Sequence, residues 1–285
     1  GNGGWGSGDA EFIGDNPPDG AVISYYQKAR HVIGRLKLEI LDAKGTVVAT
    51  LPAAKRKGLN RVTWSMRDDA PQVPPAASLA GYATQGPRVP PGNYTVRLTK
   101  AGKVYTMPLS IVLDRRASYS MADRVAQYEA AKRVSGLFGR MSALVGGIQQ
   151  VRGMAGGIAA KLPAGDSLKG ELAQLSEHAD TVRKQIVATK EGGAITGEER
   201  LRENMDYAYG AITSVEERAT DYQIARVDAL EKELGEVDAS FAALLKNEVG
   251  AINPKLKAKG LPEIVVQPMP GQTGGGGGKA KQIAD

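Results

Sequence analysis

The stretch RVPPGNYTVRL, residues 88–98, places two prolines and a glycine directly before a strictly alternating run of apolar and polar residues. The prolines hold the backbone extended, and the Gly-Asn pair that follows them supplies turn residues. Tyr94, Val96 and Leu98 then fall on one face, because side chains along a strand alternate between two faces. The stretch therefore predicts the start of a strand.

The same period of two recurs from about residue 21 to residue 113. In RLKLEIL (35–41), Leu36, Leu38 and Ile40 share a face, and DAKG (42–45) supplies turn residues before TVVATL (46–51). Comparable runs are LNRVTWSM (59–66), NYTVRLT (93–99) and KVYTMPLSIVL (103–113). Short alternating runs without helical stretches between them predict an antiparallel Ig-like or fibronectin-like β-sandwich over residues 15–116.

Past Arg116 the apolar spacing changes to three and four residues, which is typical of amphipathic helices. Ser120 with Asp123 resembles a capping box at the first helix start. Four such segments follow, joined by PAGD (163–166), KEGGAITG (190–197) and AT (219–220). Short connections favour antiparallel neighbours, so an antiparallel bundle of three to four helices is predicted over residues 117–266. The fold class is α+β, as separate domains.

Seven glycines lie between residues 136 and 157 in the first predicted helix. Each glycine costs up to about 1 kcal/mol relative to alanine in a helix interior. We therefore expect either close approach of a neighbouring element or a break near Gly146 and Gly147, and we favour close packing. The glycine-rich segments 1–14 and 267–285 hold too little apolar surface to form a core, and they are predicted to be a linker and a tail.

The net charge of +6 is concentrated in the strand-rich region, where residues 15–117 carry 16 basic against 7 acidic side chains. AKRKGLNR (54–61) is the densest basic cluster, and it makes Lys55, Arg56 and Lys57 candidate partner-binding residues. The excess fits an anionic membrane surface or protein partner, or else solubility and complementarity between domains. The cluster lacks the interleaved aromatic residues of nucleic-acid surfaces, so no nucleic acid is expected.

The segment RDDAPQVPPAASLAGYATQGPRV, residues 67–89, is far longer than a hairpin needs. Long loops on a rigid scaffold often carry binding sites, although plain insertions are as common. Tyr82 and Arg88 in this loop are candidate partner-binding residues, and so is Trp5 in the N-terminal segment. Adjacent Asp68 and Asp69 are expected to form a turn rather than bind a cation.

No catalytic, cofactor or metal site is predicted. The chain has no cysteine, which excludes thiolate chemistry and disulfides. GNGGWG (1–6) lacks the strand and helix that a dinucleotide fingerprint needs, and GGGGGKAK (274–281) fails as a phosphate loop. His31 and His178 are expected to be solvent-exposed or capping residues, because neither has an identifiable catalytic partner. No apolar run approaches the roughly 20 residues of a membrane span.

Four stretches resemble the region after the β-propeller in secreted bacterial sortilin-like BNR-repeat proteins, often labelled glycosyl hydrolases. They are NPPDGAVISYY (16–26), LKLEILDAKGTVVATL (36–51), KGLNRVTWSMR (57–67) and VPPGNYTVRLTKAGKVYTMPLSIVLD (89–114). The strand region is also similar to the Ig-like domain of flagellar hook-capping proteins. The resemblance implies an extracytoplasmic, periplasmic or secreted accessory module. Ser65 departs from the acidic residue that the BNR-repeat family usually carries after its tryptophan, and the propeller box that would hold hydrolytic carboxylates does not occur in this chain.

These observations predict a non-enzymatic structural or docking subunit that binds a larger protein assembly, with an anionic membrane surface as a further candidate partner. The alternative is a carbohydrate-associated accessory module of a secreted BNR-propeller protein, in which Tyr82, and Trp64 if exposed, would stack on glycan.

Overall fold

The computed structural model describes residues 20–190 and 197–268, so Trp5 and most of both glycine-rich ends lie outside the described residues. The described chain divides into two compact units. Residues 20–69 and 91–113 form the strand unit. Residues 70–90 group instead with the chain beyond residue 113, and together these form the helical unit. The α+β class is confirmed in this coarse form, with antiparallel sheets in one unit and helices in the other.

Six strands make up two antiparallel sheets. One sheet pairs the first strand with the fourth, and the other has the order β3-β2-β5-β6. The strands are β1 (Ala21–Gln27), β2 (Leu36–Leu41), β3 (Val47–Leu51), β4 (Gly58–Trp64), β5 (Gly92–Lys100) and β6 (Lys103–Ile111). The predicted strand start is confirmed, because β5 begins directly after the two prolines. The turn expected at Gly92 and Asn93 is wrong, because both residues already pair with β6.

The core of the strand unit joins residues of both sheets. Trp64 is only 1% exposed, and its ring meets that of Tyr94 edge to face, with centroids 5.6 Å apart. The indole Nε1 donates a hydrogen bond to the carbonyl oxygen of Arg67 at 2.8 Å. Ile23 and Leu38 are buried in the same unit. Trp64 is therefore a core residue and offers no platform for a ligand.

The helical unit contains α1 (Met121–Ala159), α2 (Ser167–Ile186), α3 (Leu201–Thr213) and α4 (Asp221–Leu244), which passes through a π-helical segment (Leu245–Val249) into α5 (Gly250–Ala258). The capping box at Ser120 and Asp123 is confirmed. Within the described residues, no helix is long and apolar enough to cross a membrane.

The expected close packing is found at Gly147 of α1, whereas a Cβ added at Gly136, Gly139, Gly153, Gly156 or Gly157 would meet nothing within 4 Å. The helix continues through Gly146 and Gly147, so the alternative of a break there is wrong. A Cβ placed on Gly147 would lie 3.2 Å from side-chain carbons of both Phe241 and Val266. Glycine is favoured there because α4 and the segment after α5 approach the backbone of α1 closely.

Candidate functional site

The strap, which we define as residues 70–90, is held against the helices of its own unit. The Asp206 carboxylate on α3 accepts hydrogen bonds from the backbone nitrogens of Tyr82, at 3.3 Å, and Ala83, at 2.8 Å. The Tyr82 ring lies over Gly210, where an added Cβ would come within 2.4 Å of the ring. Tyr82, which is 54% exposed, therefore has a packing role on α3.

A buried ionic group fixes the first half of the strap. Arg202 of α3 donates from Nε to the carbonyl oxygen of Pro74 at 2.8 Å and from Nη2 to that of Ser78 at 3.0 Å. Its Nη1 pairs with Glu203 at 2.6 Å, and the hydroxyl of Ser78 donates to the same carboxylate at 2.9 Å. Irregular backbone that lies against a core needs such partners, since unpaired buried carbonyls are costly.

The far end of the strap is tied to the helical unit in the same manner. The buried Arg124 of α1 donates to the carbonyl oxygen of Arg88 at 3.2 Å. The Arg88 side chain forms an ion pair with Glu216 at 3.2 Å. Arg88 is therefore engaged within its own unit, and the strap has a structural role that its sequence did not show.

The structure does not place the predicted partner-binding residues in one site. Tyr82 and Arg88 belong to the helical unit, whereas Lys55, Arg56 and Lys57 are exposed on one loop of the strand unit. Trp5 lies outside the described residues. Of the predicted residues, only the three consecutive cations form a cluster.

Three loops meet at one end of the strand unit, and we call this surface the basic end. They are the β1–β2 loop (28–35), the β3–β4 loop (52–57) and the β5–β6 turn with its flanks (100–103). The backbone nitrogen of His31 donates to the carbonyl oxygen of Lys55 at 3.0 Å, which joins the first loop to the second. The backbone nitrogen of Ala101 donates to the carbonyl oxygen of Arg35 at 3.1 Å, which joins the third loop to the first.

Side chains from the strands hold the β3–β4 loop, which has no ladder partners of its own. Gln27 donates to the carbonyl oxygen of Ala54 at 2.7 Å, and the hydroxyl of Tyr25 donates to the same oxygen at 2.9 Å. Burial raises the pKa of the Tyr25 hydroxyl by more than this hydrogen bond lowers it, so the hydroxyl keeps its proton. Asn60 donates to the carbonyl oxygen of Arg56 at 3.0 Å. The cations therefore stand on a fixed backbone.

The basic end carries cations without anions. The three loops contain no Asp or Glu, and their cationic residues are Lys28, Arg30, Arg35, Lys55, Arg56, Lys57, Lys100 and Lys103. All are exposed except Lys100, which is half-buried. Within residues 20–190 and 197–268, no carboxylate forms an ion pair with any of the eight. Like charges held together repel one another, so this surface favours an anionic partner.

Two carboxylates of the strand unit, those of Glu39 and Asp42, lie away from the basic end. Glu39 is buried and pairs with Lys37 and, at 3.0 Å, with Arg97. Burial alone would raise the pKa of Glu39, but these two cations hold it below its usual value. Asp42 lies in the β2–β3 turn, at the opposite end of the strands, where it accepts from the backbone nitrogens of that turn. None of these groups neutralises the basic end.

An apolar apex projects from the basic end. Val32 and Ile33 are 75% and 85% exposed, between Arg30 and Arg35. His31 fixes this apex, because its Nε2 donates to the carbonyl oxygen of Gly34 at 3.0 Å. The expectation of an exposed or capping histidine is wrong for His31, which is 6% exposed, and correct for His178, which is exposed beside Glu248.

The segment KARHVIGR (28–35) belongs to this candidate site, and the sequence analysis did not single it out. Two consecutive aliphatic residues between cations were the available signal. Such a short segment between two strands has no periodicity that would distinguish it from a plain connection.

A second feature is an apolar groove in the strand unit. Pairing of Val96 with Met107 and of Leu98 with Tyr105 places all four side chains on the core face of their sheet. Yet Tyr105 and Met107 are 56% and 67% exposed. Together with residues of β1, they line a groove of about 360 Å³. Along this groove, the edge of the core next to β6 is not covered.

The described residues contain no group of three or more His, Asp or Glu side chains arranged to hold a metal ion. In comparisons with known proteins, no protein-family model, no curated protein and no solved structure matches the chain.

Proposed function

We propose that this chain is a non-catalytic, extracytoplasmic docking subunit of a larger assembly, and that its basic end binds the anionic partner surface. The observation that carries this proposal is the set of eight cations on three hydrogen-bonded loops that contain no carboxylate. Such an arrangement costs stability through self-repulsion, and a partner with negative charge relieves that cost.

Contrast with the helical unit supports this assignment. There, Arg133 pairs with Asp228 at 2.7 Å and Arg140 pairs with Asp238 at 3.1 Å. Cations of the helical unit are thus commonly matched by local acids, whereas those of the basic end are not. A fixed backbone also lowers the entropy that the loops lose on binding.

In the finer architecture we propose, the strand unit is an Ig-like sandwich and the helical unit an antiparallel bundle. The edge-to-face contact of Trp64 with Tyr94 supports two packed sheets. The buried 3-4 pattern along α1 and α2 supports a bundle. The resemblance to the post-propeller region of BNR-repeat proteins motivates the proposed extracytoplasmic location.

The carbohydrate-associated alternative has less support. Burial of Trp64 removes one of its two stacking platforms, and the Tyr82 ring already packs on Gly210. The basic end therefore remains the surface that we assign to docking.

A charge-matched comparison tests this function. A triple variant in which Lys55, Arg56 and Lys57 become Gln loses three charges from the basic end. The control loses three charges from exposed lysines of the helical unit, through Lys232→Gln, Lys246→Gln and Lys257→Gln. Both variants and the parent chain are eluted from phosphocellulose with increasing salt. We expect the basic-end variant to elute clearly earlier and the control to elute close to the parent. Equal shifts in the two variants would show that only net charge matters and would contradict the proposal.

A further inference from the structure

We infer that the basic end docks on an anionic lipid surface and that Val32 and Ile33 insert into it. This inference rests on the proposed function and names the partner of the same surface. Three observations carry it: the exposed aliphatic apex, the cations on the three loops of the basic end, and the hydrogen bonds that hold the apex in place.

The apex has the chemistry of an interfacial anchor. Ile33 at 85% exposure and Val32 at 75% keep most of their apolar surface in water. Burial of such side chains in the boundary between headgroups and acyl chains is favourable, and adjacent cations gain attraction to anionic lipids. Arg30 and Arg35 flank the pair, so their long side chains reach headgroup phosphates while the aliphatic pair enters the apolar layer.

The loop is built to present these two residues. His31 is buried and hydrogen-bonded through both its backbone nitrogen, to Lys55, and its ring, to Gly34. Gly34 has φ of 95°, a conformation that side-chain-bearing residues seldom adopt, and it turns the chain back toward β2. The two residues between these anchors therefore cannot fold back onto the core.

Further apolar surface adjoins the basic end. On the outer face of the β1–β4 sheet, Tyr26 lies opposite Leu59, and these residues are 66% and 69% exposed. Tyr26 is next to the last residue of β1, beside the β1–β2 loop. A tyrosine in this position suits the headgroup level, where aromatic rings with a polar tip are enriched.

Nucleic acid would form ion pairs with the same cations, but it would not bind the apolar apex. Bases stack on aromatic or guanidinium planes, whereas Val32 and Ile33 are aliphatic and offer no ring. The exposed aliphatic pair between Arg30 and Arg35 therefore favours lipid.

The test measures binding of the full chain to vesicles of phosphatidylcholine with and without phosphatidylglycerol. We expect binding only when phosphatidylglycerol is present, with weakening at higher salt because screening reduces the attraction. Ile33→Ser should reduce the partition coefficient about tenfold, since it removes a nearly fully exposed isoleucine from the interface. Val112→Ser is the matched control, because Val112 is 80% exposed just past the end of β6, which is opposite the basic end. It should change the partition coefficient less than about twofold.

Insertion has a direct readout because the chain contains no cysteine. Ile33→Cys labelled with an environment-sensitive fluorophore should shift to the blue on phosphatidylglycerol vesicles, whereas Lys44→Cys in the β2–β3 turn should not. Both sites are exposed, so fold is retained, and circular dichroism checks this.

Three outcomes would overturn the inference. They are equal binding to neutral and anionic vesicles, an Ile33→Ser variant that binds like the parent, and a DNA duplex that binds more tightly than the vesicles. Retention on phosphocellulose through the basic end without vesicle binding would overturn the lipid assignment and leave the proposed function standing. Loss of both phosphocellulose retention through the basic end and vesicle binding would overturn the lipid assignment and the proposed function together.

Discussion

Gly210 and Tyr82 provide a sharp test of the structural role of the strap. In Gly210→Ala the new Cβ would lie 2.4 Å from Cγ of Tyr82 and 2.6 Å from both Cδ atoms. The ring must retreat by about 1 Å to reach an ordinary carbon–carbon separation of about 3.5 Å. It cannot do so freely, because Asp206 holds the backbone nitrogens of Tyr82 and Ala83.

The magnitude follows from two opposing effects. Overpacking of this kind costs about 1 to 3 kcal/mol, whereas replacing glycine by alanine in a helix gains up to about 1 kcal/mol. Gly210→Ala should therefore lower the free energy of unfolding by about 1 kcal/mol in the parent chain. In a Tyr82→Ala background the obstruction is gone, and the same substitution should raise it by up to about 1 kcal/mol. Tyr82→Ala alone should cost about 1 kcal/mol, because the ring is 54% exposed.

Urea unfolding of the four chains, followed by circular dichroism at helical wavelengths, measures this cycle. The coupling between the two positions should be about 2 kcal/mol, and Gly210→Ala should reverse its sign between backgrounds. Equal changes in stability in both backgrounds, within about 0.5 kcal/mol, would show that the Tyr82 ring does not lie on α3.

Three further substitutions have definite expected effects. Asp206→Ala leaves two backbone nitrogens of the strap without their acceptor and should lower the free energy of unfolding by about 1 to 3 kcal/mol in the same urea assay. An unchanged free energy of unfolding would show that the strap is held in another way. Glu39→Gln should lower the free energy of unfolding by about 2 kcal/mol at neutral pH. Because the folded-state pKa of Glu39 is lowered, the stability that its carboxylate contributes is complete above the unfolded pKa of about 4.3 and is lost as the pH falls through the folded pKa. Plots of stability against pH for the variant and the parent chain should therefore converge in acid. In Ser120→Ala, the pKa of Asp123, which hydrogen bonds from Ser120 and then Arg218 lower to about 2, should rise toward its usual value in an NMR titration.

Local patterns predicted the elements well. Turn residues and alternation located β2, β3 and β5, and the Ser-x-x-Asp pattern located the start of α1. Strand starts and helix caps depend on neighbouring residues, so the sequence carries them directly.

The role of the strap and the extent of the basic end depend on contacts distant in sequence. Residues 70–90 show no strong periodicity, and only the contacts of Asp206, Arg202 and Arg124 reveal that they pack on helices. Likewise, Lys55 to Lys57 formed a visible cluster, but Lys28, Arg30 and Arg35 join it only through strand pairing and loop hydrogen bonds. Periodicity in one segment does not report which segments meet.

The most direct test of the basic end is hydrogen exchange of the full chain, alone and on phosphatidylglycerol vesicles. We expect slower exchange in peptides covering residues 28–35, 52–57 and 100–103 together, with no change in the β2–β3 turn around Asp42. Protection confined to the strap or the helices, or to one loop of the three, would contradict the claim that these loops form a single docking surface.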